Sequence, residues 1–261
     1  MIKSDISRDD DTYSERRNMT LPLQILLTCA IAILLGTLLG NSAVYFFNRI
    51  PPAWLTDYGE EPSEELKDMS TQRIKSVPYK YVFTGLFIAI GIYMGVRDPA
   101  LTIPVLFSLW LLLLMSIADI KYMIVPDQLI MLLVLTGLGF LPQKMALYHR
   151  HAVYDSLIGA GAGLLIMLII ALLSRAVYKK WVLGGADIKL FTAIGFLTGL
   201  YGVLIIFVLS TLLSGLHFGY QLLRKQIHLK ETRPMVPYIA IAYGAYFLFI
   251  KDLITDFIIT I

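Results

Sequence analysis

Two aspartates lie beside long apolar segments, where carboxyl groups are rare. Asp119 ends one apolar segment within Ser-Ile-Ala-Asp-Ile-Lys, and Asp187 opens another within Gly-Gly-Ala-Asp-Ile-Lys. Ionisable side chains at membrane depth cost free energy and usually serve a function. Two adjacent carboxyl groups can share a proton, so that one activates a water molecule while the other polarises a carbonyl. The pair predicts an aspartic hydrolytic mechanism that uses no metal, no cofactor and no nucleophilic serine.

Each acid also has a simpler structural interpretation. Asp119 could end a helix and pair with nearby Lys121. Asp127 directly follows Pro126 and precedes another apolar run, which is typical of an N-cap that interacts with the helix dipole. We therefore expect a secondary, structural role for Asp127.

The residues before Asp187 indicate a compact turn. Gly184 and Gly185 allow backbone conformations that other residues avoid, and Ala186 keeps the turn small. The turn could simply start a helix, or it could clear room for an extended peptide beside the carboxylate. It resembles a phosphate-binding loop only superficially, because the full spacing and the preceding strand are absent.

The composition indicates a membrane protein. Of the 261 residues, 57% are hydrophobic and only 16% are charged, against about a quarter charged in soluble domains. We expect an all-α, polytopic helix bundle with about 6–8 transmembrane segments. Prolines such as Pro99, Pro126, Pro142 and Pro234 are expected to end helices. The apolar segments are 21–48, 79–96, 100–118, 128–142, 154–178, 188–199, 201–223 and 236–250.

The chain divides into a polar N-terminal tail (1–20), an apolar anchor (21–48), a polar loop (49–79) and a membrane domain (80–261). The anchor contains no small-residue cleavage site, so we expect it to be retained. Within the loop, residues 63–69 could form an amphipathic surface helix. Lys and Arg side chains are more numerous on the side that carries both acids, which predicts a cytoplasmic position for the acids.

Other chemistries find little support in the sequence. The single cysteine, Cys29, lies in the first apolar segment and is best explained as a packing residue. None of the four histidines has the spacing of a zinc site, and His217 is expected to be an interhelical hydrogen-bond partner. No basic face with interleaved aromatic residues indicates nucleic-acid binding.

The two aspartate segments resemble those of the type IV prepilin peptidases, a family of membrane aspartic proteases of the GxGD type with archaeal preflagellin peptidase relatives. The segment from Asp119 to Pro126-Asp127 looks like the family's first motif, and Gly184 to Lys189 looks like its second. The segment 235–238, with sequence Met-Val-Pro-Tyr, resembles a late proline-containing motif. The family's glycine before the second acid is replaced here by Ala186.

The resemblance implies cleavage of the basic leader peptide of prepilin-like precursors at the cytoplasmic face of a bacterial plasma membrane. Asp119 and Asp187 would be catalytic, while Lys189 and the glycines would support the second acid. Bifunctional members carry N-terminal cysteine pairs associated with methylation of the new N-terminus, and the 49–79 loop has no cysteine. The expected activity is therefore the peptidase alone, with pilin-like precursors and the lipid bilayer as partners.

Two other functions remain open. A proton-coupled transporter could use the acids as a relay, but such transporters usually contain internal repeats, and the repeated Asp-Ile-Lys is too short to be one. A non-catalytic scaffold of a pilus or secretion complex could keep the fold, although the presence of both acids argues against it.

Overall fold

The computed structural model describes residues 3–57, 59–67, 72–148, 151–179, 184–225 and 233–253. Within these ranges the chain is helical and contains no strand, as the long apolar segments predict. The helices are α1 (Lys3–Arg49), α2 (Glu64–Lys67), α3 (Ser76–Arg97), α4 (Pro99–Tyr122), α5 (Asp127–Tyr148), α6 (His151–Tyr178), α7 (Gly185–Leu223) and α8 (Val236–Ala245). A 3₁₀ turn covers Pro52–Leu55, and a π-helical turn (Tyr246–Ile250) follows α8.

In the described part of the chain, seven helices are long and apolar enough to cross a membrane. Many large apolar side chains of these helices are exposed, as expected where lipid is the solvent. The prediction of a polytopic helical membrane protein with about 6–8 spans is confirmed. The backbone of α1 continues from Lys3 through the end of the polar tail without a break.

Helix α7 reverses direction at Gly199, whose φ of 78° and ψ of −175° are not helical. The rings of Phe191 and Phe207 lie 5.8 Å apart. In a straight helix these residues would be separated by about 24 Å along the axis, so the chain must fold back. We call 185–198 the first arm of α7 and 200–223 the second arm. The arms correspond to the two apolar segments expected on either side of residue 200.

Prolines mark some helix boundaries but not all of them. Asp98 caps α4, with Pro99 in its first turn, and its carboxylate accepts a hydrogen bond from the Leu101 N–H at 3.3 Å. Helix α5 begins directly after Pro126. The expectation that Pro142 ends a helix is wrong, because α5 continues through it to Tyr148. Membrane helices tolerate internal proline because neighbouring groups can satisfy the freed backbone carbonyl.

Helix α4 forms the centre of the bundle. In the most apolar 18-residue stretch of α4, 72% of the residues are buried, whereas in the corresponding stretches of the other spans at most 33% are buried. Leu111, Leu112 and Met115 have no exposed surface. Interiors pack to crystal-like density, so a residue at the end of this helix is held in a well-defined position. Asp119 lies in that last turn.

Glycines bring α6 and the first arm of α7 into close contact. A Cβ atom added at Gly159 would lie 2.3 Å from the carbonyl oxygen of Gly195, and one at Gly163 would lie 2.3 Å from that of Phe191. No larger residue fits these positions unless the helices move apart. This contact fixes the helix arm that begins with Gly185 and Asp187 against α6.

The polar loop is organised around Arg73, which is 7% exposed. Its guanidinium donates hydrogen bonds to the carbonyl oxygens of Ile50 at 2.5 Å and Leu66 at 3.2 Å. Lys121 of α4 in turn donates to the Arg73 carbonyl. The expected helix at 63–69 is present as the single turn Glu64–Lys67, and residues 68–71 lie outside the described part of the chain.

Candidate active site

Asp119 lies where the end of α4 meets the start of α8. Its side chain is buried, with the residue 7% exposed, and its Oδ2 accepts a hydrogen bond from the Val236 N–H at 2.9 Å. The backbone of Met235 lies beside the same carboxyl group and favours its ionised form. The N-terminal N–H groups of a helix have no partner within that helix and favour negative charge. The first turn of α8 is therefore a suitable binding site for the Asp119 carboxylate.

Asp187 lies in the first turn of α7 and is half-buried. Its N–H donates a hydrogen bond to the carbonyl oxygen of Gly184 at 3.2 Å, which closes the turn at the N-cap. The two carboxyl groups are close enough for the charge of Asp119 to act on Asp187. The structure thus brings both predicted acids to the same end of the bundle, each beside a helix N-terminus.

The glycine turn leaves open space beside Asp187. Gly184 and Gly185 are exposed, and a Cβ atom added at Gly185 would meet no atom of the described residues within 4 Å. Gly184 has φ −70° and ψ 141°, which other residues can also adopt, so this turn does not require the conformational freedom of glycine. Since α7 already begins at Gly185, Ala186 has a helical position that alanine suits well.

Lys189 forms an ion pair with Asp127, with Lys189 Nζ and Asp127 Oδ2 2.7 Å apart. The pair joins the start of α5 to the first arm of α7 and therefore connects the two aspartate motifs. Asp127 is the first residue of α5 rather than its expected N-cap, because the N–H groups of Leu129 and Ile130 donate to the Pro126 carbonyl oxygen; its carboxylate still lies at the helix N-terminus. The expectation for Lys189 was support of Asp187, and the contact found here reaches Asp127.

His217 lies in the second arm of α7 and contacts α8, as expected for an interhelical hydrogen-bond partner. Its Nδ1 forms a hydrogen bond with the Tyr238 hydroxyl group. Its Nε2 lies 3.0 Å from Nε2 of Gln221, one turn further along α7. The ring of Phe218 packs edge-on against Tyr238. These contacts hold the first turn of α8, which carries the Val236 N–H group, against α7.

The sequence does not indicate that the Val236 N–H group and Arg73 lie at this end of the bundle. The segment containing Met235 and Val236 stood out only as a proline-containing motif. A backbone donor leaves no side-chain signature, because nearly every residue type carries the same N–H group. Arg73 looked like one basic residue among several in a polar loop.

The fold and the site define a multi-pass helical membrane protein with two carboxyl groups at one end of its bundle. Residues 106–219 match the model of the type IV leader peptidase family. This part of the chain, which carries both aspartates, is therefore similar to that family.

Three curated relatives share the name prepilin leader peptidase/N-methyltransferase. The Bacillus subtilis protein is 28% identical over 173 residues, which cover 66% of this chain and 65% of the relative. The Aeromonas hydrophila protein is 32% identical over 142 residues, covering 54% of this chain and 47% of the relative. The Vibrio cholerae protein is 30% identical over 146 residues, covering 56% of each chain. The chain thus spans about half to two thirds of these relatives. No solved structure matches it significantly.

Proposed function

We propose that this protein is a membrane aspartic endopeptidase that removes the leader peptide of type IV prepilin-like precursors, with Asp119 and Asp187 as its catalytic pair. The main support is that both carboxyl groups lie at the same end of the bundle, near enough for their charges to interact, within a region that matches the leader peptidase family. Neither acid depends on a metal ion in this proposal.

The proposed reaction uses the two acids as a unit that holds one proton. The ionised member accepts a proton from water, and the resulting hydroxide adds to the scissile carbonyl carbon. The protonated member donates its proton to the carbonyl oxygen. Collapse of the tetrahedral intermediate breaks the C–N bond, and the proton taken from water passes to the leaving amine. One hydroxyl proton of the intermediate returns to the acid that had protonated the carbonyl oxygen, which restores the pair. The N–H group of Val236 holds Asp119 in place during these steps.

The neighbouring residues would position the substrate and the second acid. The space beside Gly185, which is open among the described residues, would accommodate an extended peptide near Asp187. Ala186 packs against the core, and the ion pair of Asp127 with Lys189 holds the two motifs together. The acids therefore have a rigid base on one side and accessible space on the other.

We propose that the acids face the cytoplasm from a bacterial plasma membrane and that the substrates have basic leader peptides. The excess of Lys and Arg on the acid-bearing side supports this orientation. In this arrangement the loop 49–79 is cytoplasmic and packs near the site through the hydrogen bond from Lys121 to Arg73. Residues 21–48 form the anchor, and 80–261 form the peptidase domain.

The proposed activity is that of the peptidase alone. The printed names of the relatives also include an N-methyltransferase. The cysteine pairs associated with that second activity in the family have no counterpart in the 49–79 loop.

Replacement of either acid tests the proposal. Asp119→Asn and Asp187→Asn keep side-chain size but remove the ability to hold and transfer the shared proton. Each variant is expected to lose cleavage of a prepilin-like precursor, measured by the mobility shift of the processed product in membranes. Glu61→Gln, an exposed carboxylate in the polar loop, is the matched control and should cleave normally. Full cleavage by either aspartate variant with wild-type membrane insertion would falsify the mechanism.

A further inference from the structure

A cavity is present at the end of the bundle opposite the two acids. It has a volume of about 320 Å³ and lies among α4, α5, α6, the reversal of α7 and the end of α8. Its volume is within the range of about 300–1,000 Å³ that is usual for small-ligand sites. Leu101 lines the cavity and lies at the start of α4, about 27 Å along the helix from Asp119 at its other end. The cavity is therefore at the end of the bundle that is far from the acids. Its apolar walls include Leu101, Val105, Phe140, Leu197 and Phe247.

Two charged residues on the cavity wall hold backbone groups that the reversal of α7 leaves without helical partners. Lys144 Nζ donates to the carbonyl oxygen of Leu197 at 2.8 Å and to the Ser156 hydroxyl at 3.1 Å. Asp155 Oδ1 accepts from the Leu200 N–H at 3.1 Å. Both charged groups are therefore bonded to neutral partners.

Lys144 and Asp155 do not form an ion pair with each other. Their charges interact, yet no Lys144 nitrogen lies within 4.0 Å of an Asp155 oxygen. An ammonium group has three N–H donors, and two of those on Lys144 have protein partners. Among the described residues, Asp155 Oδ2 has no hydrogen-bond partner. The other lysine of the cavity, Lys251, differs because its Nζ lies 2.6 Å from Asp98 Oδ2.

We propose that this cavity binds a zwitterion, with its anionic group on Lys144 and its ammonium group on Asp155. The separated opposite charges, each with unused hydrogen-bonding capacity, complement such a ligand. The apolar walls would receive an attached hydrocarbon portion. The head of an aminophospholipid and a free zwitterion such as phosphoethanolamine share this chemistry. The proposal does not depend on leader cleavage.

Photo-crosslinking tests the cavity directly. The full-length protein in detergent micelles is irradiated with phosphatidylethanolamine that carries a diazirine near the start of an acyl chain, and labelled peptides are mapped by mass spectrometry. Label is expected on the cavity walls formed by α4, α5 and α8. Unlabelled phosphatidylethanolamine should compete about tenfold better than phosphatidylglycerol, which offers an anion without an ammonium.

A competition by free phosphoethanolamine distinguishes the two sources of the ligand. If it displaces the probe as well as the lipid does, the ligand is a small soluble zwitterion. If it competes poorly, the ligand is the lipid. Equal competition by phosphatidylglycerol, or label mapped only outside the cavity, overturns the proposal.

Variants connect binding to the two charges. Lys144→Gln and Asp155→Asn should each reduce labelling about tenfold, whereas Lys75→Gln, an exposed lysine at the other end, should not. Thr136→Leu fills part of the cavity and leaves both charges intact, so it should also reduce labelling. Thermal denaturation identifies folded variants. If the charge variants unfold, the labelling of Thr136→Leu becomes the test of the cavity. A folded Thr136→Leu protein that is labelled like the wild type contradicts the proposal.

Discussion

The N–H group of Val236 donates a hydrogen bond to the carboxylate of Asp119 at 2.9 Å, although the two residues are 117 positions apart. Val236 is fully buried at the start of α8, and Asp119 is buried at the end of α4. One acid of the proposed pair is therefore held by a helix that follows both aspartate motifs in the chain. The geometry of the site depends on correct packing of α8 as well as on the acids.

Removal of this single donor should impair catalysis without loss of a side chain. Replacing the Val236 amide by an ester, through incorporation of the corresponding hydroxy acid, removes the N–H and keeps the isopropyl group. A hydrogen bond to a charged group contributes about 1.5–3 kcal/mol, so the cleavage rate should fall roughly 10- to 100-fold. Val236→Ala keeps the donor and serves as the control. A normal rate for the ester protein would show that this bond does not contribute to the reaction.

The ion pair between Asp127 and Lys189 should contribute modestly. The side chains are 26% and 55% exposed, and exposed pairs contribute about 0.2–1 kcal/mol. Asp127→Asn and Lys189→Met are each expected to slow leader cleavage by up to about fivefold, measured as initial rates on a purified precursor.

A double-mutant cycle distinguishes the pair from separate roles. If the two residues act through their contact, the double variant should be no slower than the more impaired single variant. Additive losses would indicate independent functions. Complete loss in Asp127→Asn alone would instead assign a catalytic role to Asp127.

The helices and the two acids could be predicted from the sequence because their signals are local. Long uncharged stretches identify membrane helices, and Asp119 and Asp187 stand out against an apolar background. The prediction at Pro142 failed because the rule that proline ends helices describes soluble proteins better than membrane-spanning segments.

The features that could not be predicted from the sequence are those that depend on tertiary contacts. The sequence indicated separate apolar segments on either side of residue 200, but not that Lys144 and Asp155 hold the reversal between them. Likewise, Lys189 follows Asp187 by two residues, yet its partner Asp127 is provided by another helix. Such pairings join distant parts of one chain, and sequence spacing alone does not determine them.

Arg73 should stabilise the polar loop. Arg73→Met leaves the carbonyl oxygens of Ile50 and Leu66 without their donor, at a cost of about 1–3 kcal/mol. We expect faster proteolysis within residues 50–75 and a lower melting temperature. Lys75→Met changes an exposed residue nearby and should behave like the wild type. Equal protease resistance of the two variants would contradict the organising role of Arg73.

Gly199 should not tolerate alanine. Its φ of 78° belongs to a region that L side chains avoid, and an added Cβ would lie 1.8 Å from Asp155 Oδ2. Backbone strain of this kind costs about 1–3 kcal/mol, so Gly199→Ala should lower the melting temperature. Gly215→Ala in the same helix meets no atom within 4 Å and should be neutral or slightly stabilising. A Gly199→Ala protein as stable as Gly215→Ala would contradict the observed reversal.

The contact between α6 and α7 provides a further matched pair of substitutions. Gly163→Leu would force the helices apart, since even a Cβ atom would lie 2.3 Å from the Phe191 carbonyl oxygen. We expect little folded protein in detergent, measured by size-exclusion chromatography. Gly161→Leu, two positions earlier, extends into open space and should preserve the yield. Similar yields from both variants would show that the two helices are not locked together at this contact.

The reversal at Gly199 also changes the number of crossings in the bundle from seven to eight, that is, from odd to even. Seven uninterrupted crossings would place the first and last spans' outer ends on opposite faces, but α7 runs out and back and therefore counts as two. Thr28, near the start of the first span, packs beside Gly95 at the end of α3. Arg97, also at the end of α3, forms an ion pair with Asp252, which follows α8. Both extremities of the bundle thus lie at the same end, opposite the two acids. Reporter domains fused at either extremity would therefore give the same compartment signal.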